Sequence, residues 1–160
     1  MCLLTNDKKV KIATEPITCY KVVQIVANEY IYTPYRGEKI SKEHLMGLLP
    51  FKAYGKPVIH FNRFFKDDKC NFGLGCSDTF HNNKYRIDKG FIHCFLNKND
   101  ALNIKNNCFT QQRRVYEVEI PKGVRYVTGK YGCDSGYNSK ANEYETIAAA
   151  EIIFKKKEVI

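Results

Sequence analysis

The segment Gly90–Phe91–Ile92–His93–Cys94 constrains the fold of this chain more than any other segment. A glycine leads into a run of bulky residues, and one imidazole lies among them. This pattern predicts a strand that enters a hydrophobic core and carries one polar side chain. It is the one place in the chain where a clear strand pattern contains a side chain that could take part in catalysis or binding.

The length of 160 residues is most economically explained by one domain. With 44% hydrophobic residues the chain can bury a core without disulfides or metal. We expect a basic N-terminal arm over residues 1–16, a single domain over 17–154 and a basic tail over 155–160.

Strand-like and helix-like patterns are interspersed along the chain. Strands are predicted at 19–26, 30–37, 58–65, 91–95, 115–120, 124–128 and the second half of 145–154. Short helices are predicted from Ser41 to Leu49 and from about Asn97 to Lys105. Residues 66–89 and 129–141 read as long loops. The predicted fold class is therefore α+β, with a curved mixed or antiparallel sheet and two or three short helices.

The formal charge of +9 favours an anionic partner such as nucleic acid, a nucleotide or an acidic protein surface. Most of the excess is lysine, so ordinary solvating surface charge is the alternative explanation. No apolar run approaches the roughly 20 residues of a membrane span, so no membrane partner is expected.

Seven cysteines, an odd number, and the absence of an apolar leader in Met1–Lys8 indicate free thiols in a reducing compartment, the cytoplasm. Zinc is the competing explanation, because Cys70 and Cys76 are followed by His81. No C-x2-C pair occurs in the sequence, so no metal is expected.

His93 is the first candidate for chemistry. An imidazole with an ordinary pKa near 6.5 can act as an acid, a base or a neutral hydrogen-bond donor. The alternative is a buried histidine whose ring is satisfied by a backbone carbonyl.

Two further groups are candidates. On a strand, Glu143 and Glu145 would share one face about 7 Å apart and could orient a ribose hydroxyl or stabilise a cationic centre; otherwise they begin a solvated helix. Arg36 beside Tyr35 suits recognition of a phosphate or a base, although a surface arginine stacked on tyrosine would look the same.

Several common motifs are missing from the sequence. The chain contains no G-x-x-x-x-G-K-[ST], G-x-G-x-x-G, H-E-x-x-H or G-x-S-x-G pattern. A kinase, a P-loop protein, a dinucleotide-binding fold and a serine hydrolase are therefore disfavoured.

The segment Lys89–Cys94, followed by Asp100–Leu102, resembles the G-F-I-H-[CL] signature of small bacterial domains related to ADP-ribosyltransferases. The resemblance implies a transferase-like fold, a nucleotide-binding cleft and NAD-dependent transfer. By position, it places His93 in the cleft and makes Glu145 the catalytic carboxylate.

The same resemblance implies which residues would hold the cofactor. Tyr20 and Lys21 stand where the first strand of transferases offers arginine or histidine. The usual serine or tyrosine element is not recognisable, although Tyr32–Tyr35 lies near its place, so Tyr35 and Arg36 complete the expected cofactor-binding set.

The chain also resembles short hypothetical proteins of gut Bacteroidetes and their phages, through Met1–Thr5 and Ile120–Tyr126. This resemblance implies a non-enzymatic alternative, a phage or mobile-element accessory protein. Its basic face would bind nucleic acid, a nucleotide signal, or a virion or host protein, in the host cytoplasm or in the virion.

Overall fold

The computed structural model describes residues 2–27, 30–34, 37–62, 82–106, 112–132 and 144–159. Within these ranges, thirteen strands join into one sheet. The strands are Cys2–Thr5 (β1), Lys11–Ile12 (β2), Ile17–Val26 (β3), Tyr30–Tyr32 (β4), Lys39–Ile40 (β5), Phe51–Lys52 (β6), Val58–Phe61 (β7), Tyr85–Lys89 (β8), Ile92–Phe95 (β9), Gln112–Ile120 (β10), Arg125–Gly132 (β11), Glu145–Ala149 (β12) and Glu151–Val159 (β13). The described helices are Lys42–Leu45 (α1) and Lys98–Asn106 (α2).

The strand order is β6-β13-β10-β3-β9-β12-β11-β1-β8-β7, and β2, β4 and β5 pair beside this path. The strand pairings within the described ranges are antiparallel. The rich supply of β-branched residues in β3 suits its central place, because such side chains pack well on a pleated surface. One side of β3 pairs with β10 over nine residue pairs, from Ile17–Ile120 to Ile25–Gln112, whereas the other meets β9 at one pair.

Both faces of the sheet are buried. We call the side against which Leu45 of α1 packs the α1 face; it carries Cys19, Val23, Val118 and Phe154. We call the opposite side the α2 face. Its buried residues are Val22, Phe95, Val115, Ala101 and Ile104 of α2, and, farther along the sheet, Leu3, Ile87, Phe91, Val127 and Ala148. Because neighbouring strand residues point to opposite faces, a strand buried on both sides reads as a nearly continuous apolar run.

The two helices begin where the sequence predicts. The Ser41 side chain accepts from the His44 backbone N–H and thereby caps α1. At the start of α2, the Asn97 side chain accepts from the Asn99 backbone N–H at 2.8 Å. Neither helix in the described ranges is long and apolar enough to cross a membrane.

The predicted α+β class, and the transferase-like fold that the resemblance implies, are wrong. Strand accounts for 55% of the structure and helix for 12%, and the described strands form a mostly antiparallel sheet. The prediction gave too much weight to helix starts, because α1 ends after four residues. It also placed residues 66–89 in a loop, although Tyr85–Lys89 forms β8.

The two ends of the chain also differ from the prediction. Residues 2–5, expected in a basic arm, form β1 between β11 and β8, and Leu3 and Leu4 are fully buried. The expected basic tail continues β13, and Val159 is buried on the α2 face. Buried apolar residues therefore hold both ends of the chain in the sheet, although lysines are frequent in both terminal segments. That residues 17–154 form a single domain stays a prediction.

Candidate functional site

His93 lies on β9 within the hydrocarbon core of the sheet. Its side chain is 6% exposed and points to the α2 face, as Phe95 does two residues later. In the register with β12, His93 lies opposite Ala148, which belongs to the buried cluster on that face. The ring is therefore buried on the α2 face, beside Ala148.

Glu145 lies at the start of β12 and is exposed. It is three residues from Ala148, the partner of His93, so strand alternation sends its side chain to the other face. There it forms an ion pair with Lys130, its register partner on β11. The structure therefore does not bring the Glu145 carboxylate and the His93 ring together.

The carboxylate of Glu145 influences a second acid at the start of α2. Burial, and next the charge of Glu145, raise the pKa of Asp100, and Lys130 partly opposes this shift. The three groups therefore interact electrostatically where β12 begins. Within the described ranges, no group of three or more histidine, cysteine, aspartate or glutamate residues could hold a metal ion.

Tyr20 and Lys21, the expected cofactor ligands on β3, point to opposite faces because they are neighbours on a strand. Tyr20 is half-buried against the core of the α2 face. Lys21 is 3% exposed, and its Nζ donates to the backbone oxygen of His93 at 2.8 Å. Lys21 therefore contacts the backbone of His93, while the His93 side chain points to the other face.

The other predicted site residues lie outside the described residues. These are Tyr35, Arg36 and Glu143, together with the zinc alternatives Cys70, Cys76 and His81. Their proposed roles stay predictions.

A different surface combines positive charge with aromatic rings. Tyr85 opens β8, and the ammonium groups of Lys8 and Lys84 lie 4.7 Å and 5.5 Å from its ring centroid. Phe61 of β7 contacts the same ring edge-on at 6.4 Å and is 60% exposed. We call Lys8, Phe61, Lys84 and Tyr85 the cationic aromatic surface.

Local hydrogen bonds bring the three separate segments of this surface together. Tyr85 pairs with Thr5 on β1 and with Phe61 on β7. The Asn6 side chain accepts from the Lys84 backbone N–H at 2.9 Å. The Asp7 backbone N–H donates to the Thr5 hydroxyl at 3.2 Å, which turns the chain after β1 and leads it to Lys8.

The charge of this surface is not balanced by the ion pairs seen elsewhere. Among the described residues, four ion pairs form: Lys52–Glu151, Arg114–Glu158, Lys130–Glu145 and Lys155–Glu119. Lys8 and Lys84 belong to none of them. Their ammonium groups interact with an aromatic ring instead, which leaves their positive charge available to an anion.

The sequence does not predict this surface. Its alternation places Phe61 on a strand over 58–65, on the same face as Ile59, and it predicts a long loop over residues 66–89, which include Lys84 and Tyr85. The available signal was the alternation of Tyr85 and Ile87 with Arg86, which is typical of a half-buried strand. The approach of Lys8 had no local signal, because it depends on pairing between β1 and β8.

No protein-family model matches the chain, and no curated protein or solved structure is significantly similar to it.

Proposed function

We propose that this protein binds single-stranded nucleic acid through the cationic aromatic surface. The observation that supports the proposal most directly is the placement of two lysine ammonium groups around Tyr85, beside a phenylalanine that is 60% exposed. Lysines supply the attraction for phosphates, and aromatic rings supply stacking platforms for bases.

Single-stranded nucleic acid suits this surface better than a duplex does. The bases of a duplex are already stacked on each other, so they gain no stacking contact with the exposed ring of Phe61. An unpaired base can stack on that ring, which is worth about 1–3 kcal/mol per base in proteins that bind single strands. The net charge of +9 adds long-range attraction that raises the rate of association.

The transferase alternative finds less support in the geometry. The resemblance needs the His93 ring and the Glu145 carboxylate in one cleft, and they point to opposite faces of the sheet. NAD-dependent transfer therefore stays a prediction, as does binding of a nucleotide signal or of a virion or host protein.

The proposal is tested by fluorescence anisotropy with labelled oligothymidine, oligouridine and a duplex of equal length, over a series of salt concentrations. We expect the chain to bind both single strands more tightly than the duplex. The double variant Lys8→Gln/Lys84→Gln should lose up to two phosphate contacts. The slope of log K against log salt should then fall in magnitude by up to about 1.4, since each contact to a single strand contributes about 0.7.

Phe61→Leu tests stacking separately from charge. It should weaken binding by about 5- to 150-fold, the equivalent of 1–3 kcal/mol, and leave the salt slope unchanged. The matched control Lys52→Gln/Lys155→Gln removes the same charge from lysines that are ion-paired to Glu151 and Glu119. Equal losses in the two lysine double variants, or tighter binding to the duplex, would refute the proposal.

A further inference from the structure

The junction between β3 and β9 has little backbone pairing. These strands share one residue pair, Tyr20–Phe95, whereas β3 and β10 share nine. Cys19 and Lys21 of β3 and Cys94 of β9 lie at this junction, and all three are buried. We call these three residues the thiol–lysine cluster.

The antiparallel register around Tyr20–Phe95 fixes the arrangement of the cluster. Lys21 follows Tyr20 and Cys94 precedes Phe95, so these two residues face each other across the strands. Cys19 lies two residues before Lys21 and is therefore the diagonal neighbour of Cys94 on the same face. Both cysteines belong to the core of the α1 face.

The three side chains of the cluster lie close together inside the core. The Cys19 and Cys94 thiols form a hydrogen bond with each other, and the Lys21 ammonium is near enough to interact with both sulfurs.

We propose that Cys19 and Cys94 form a buried two-coordinate site for a soft monovalent cation of the Cu(I) class, with Lys21 as the compensating charge. Thiolates are the side-chain ligands that such cations prefer. On binding, the two thiols release two protons and form two metal–sulfur bonds, without any change of oxidation state. The bis-thiolate complex carries one negative charge, and the Lys21 ammonium neutralises it, as a buried charge requires.

The spacing of the cysteines favours a bridging cation over a disulfide. Diagonal neighbours in an antiparallel pair have Cα atoms about 7–8 Å apart, beyond the roughly 6.8 Å that a disulfide tolerates. A linear sulfur–metal–sulfur unit with bonds of about 2.3 Å, as for zinc, spans about 4.6 Å between sulfurs. The longer unit is therefore better matched to diagonal neighbours than a disulfide is.

The site differs from the structural zinc site considered from the sequence. Structural zinc takes four ligands, and the described residues offer no such group here. Entry of the cation needs a brief opening of the sheet. Among the pairings between described strands, the β3–β9 junction is where such an opening breaks the fewest backbone hydrogen bonds, because it has one residue pair.

Silver(I) is the probe of choice, since it has the charge and softness of Cu(I) without its redox chemistry. The starting protein has the other five cysteines, Cys2, Cys70, Cys76, Cys108 and Cys133, replaced by serine. We expect native mass spectrometry to show one retained Ag(I), and we expect a rise in Tm. Adding Cys94→Ala or Cys19→Ala to this protein should abolish both effects. Lys21→Met, which keeps most of the side-chain volume, should weaken binding by at least tenfold.

A second measurement covers the case in which a cysteine variant does not fold. In the five-serine protein at mild denaturant concentration, Ag(I) should protect Cys19 and Cys94 from alkylation, as read by mass spectrometry. The proposal is overturned if that protein retains no Ag(I), or if Ag(I) leaves both alkylation rates unchanged. Retention of one Ag(I) after loss of either thiol would also overturn it.

Discussion

At the scale of single residues, the lack of a side chain at Gly90 allows two segments of the chain to approach closely. The φ of Gly90 is +74°, in the left-handed region, and a Cβ at this position would overlap the backbone of Lys56 and Pro57. The chain before β7 therefore lies directly against the turn that leads into β9. Only glycine satisfies both the backbone conformation and the close approach.

The change Gly90→Ala should be more destabilising than Gly123→Ala. Gly123 has a φ of +85° but no atom within 4 Å of the added Cβ, so its substitution costs backbone strain alone, about 1–2 kcal/mol. At Gly90 the overlap adds about 1–3 kcal/mol to the same strain. Urea denaturation of both variants measures the free energies of unfolding. Equal losses would show that Lys56 and Pro57 move aside easily.

At the scale of elements, β13 departs from a regular strand at its lysines. Its register with β10 shifts between Tyr116 and Val118, and Lys156 adopts a φ of +60°. Phe154 pairs with Val118 and Val159 pairs with Val115, so this β-bulge gives β13 two residues more than β10 between these pairs. Because this offset is even, Phe154 stays on the α1 face and Val159 on the α2 face. The exposed lysines thus lie within a strand whose two ends are fixed by packing.

Lys156→Gly should raise the free energy of unfolding by about 0.5–1 kcal/mol, because glycine adopts the left-handed conformation without strain. Lys157→Gly removes the same charge from the next residue, which is not in that region, and should lower stability by about 0.5–1 kcal/mol. Chemical denaturation of the two variants gives the comparison. A loss of stability in both would mean that the bulge does not strain Lys156.

At the scale of the whole molecule, β1 joins parts of the chain that are distant in sequence. It pairs with β11 on one side and with β8 on the other, and it buries Leu3 and Leu4. Without it, the sheet would be divided between β11 and β8. Leu3 and Leu4, which lie in the expected basic arm, are thus part of the core.

Deletion of residues 1–5 should therefore lower the free energy of unfolding by about 3–6 kcal/mol, because the burial of two leucine side chains is lost. A larger loss would abolish cooperative unfolding. That is a large share of the 5–15 kcal/mol typical of a domain. The control Lys8→Gln/Lys9→Gln lowers the positive charge of the same segment and should change stability by less than about 1 kcal/mol. Circular dichroism during urea denaturation measures both, and a deletion variant as stable as the full chain would contradict the described sheet.

Much of the local structure could be predicted from the sequence. The alternation around Tyr116 and Val118 identified β10, and Ser41 identified the start of α1, because periodicity and capping are local. Which face a residue occupies within the sheet is not local. The separation of His93 from Glu145 follows from the β9–β12 register, and the approach of Lys8 to Tyr85 follows from β1–β8 pairing. No pattern in the sequence encodes either register.

The position of β1 also sets an order of events during synthesis. Cys2–Thr5 is translated more than a hundred residues before its partner Arg125–Gly132. Two leucines that end fully buried must stay in contact with water, or with a chaperone, during that interval. Nascent chains arrested before β11 should therefore be captured by chaperones that recognise exposed apolar segments, and release should follow once β11 has emerged.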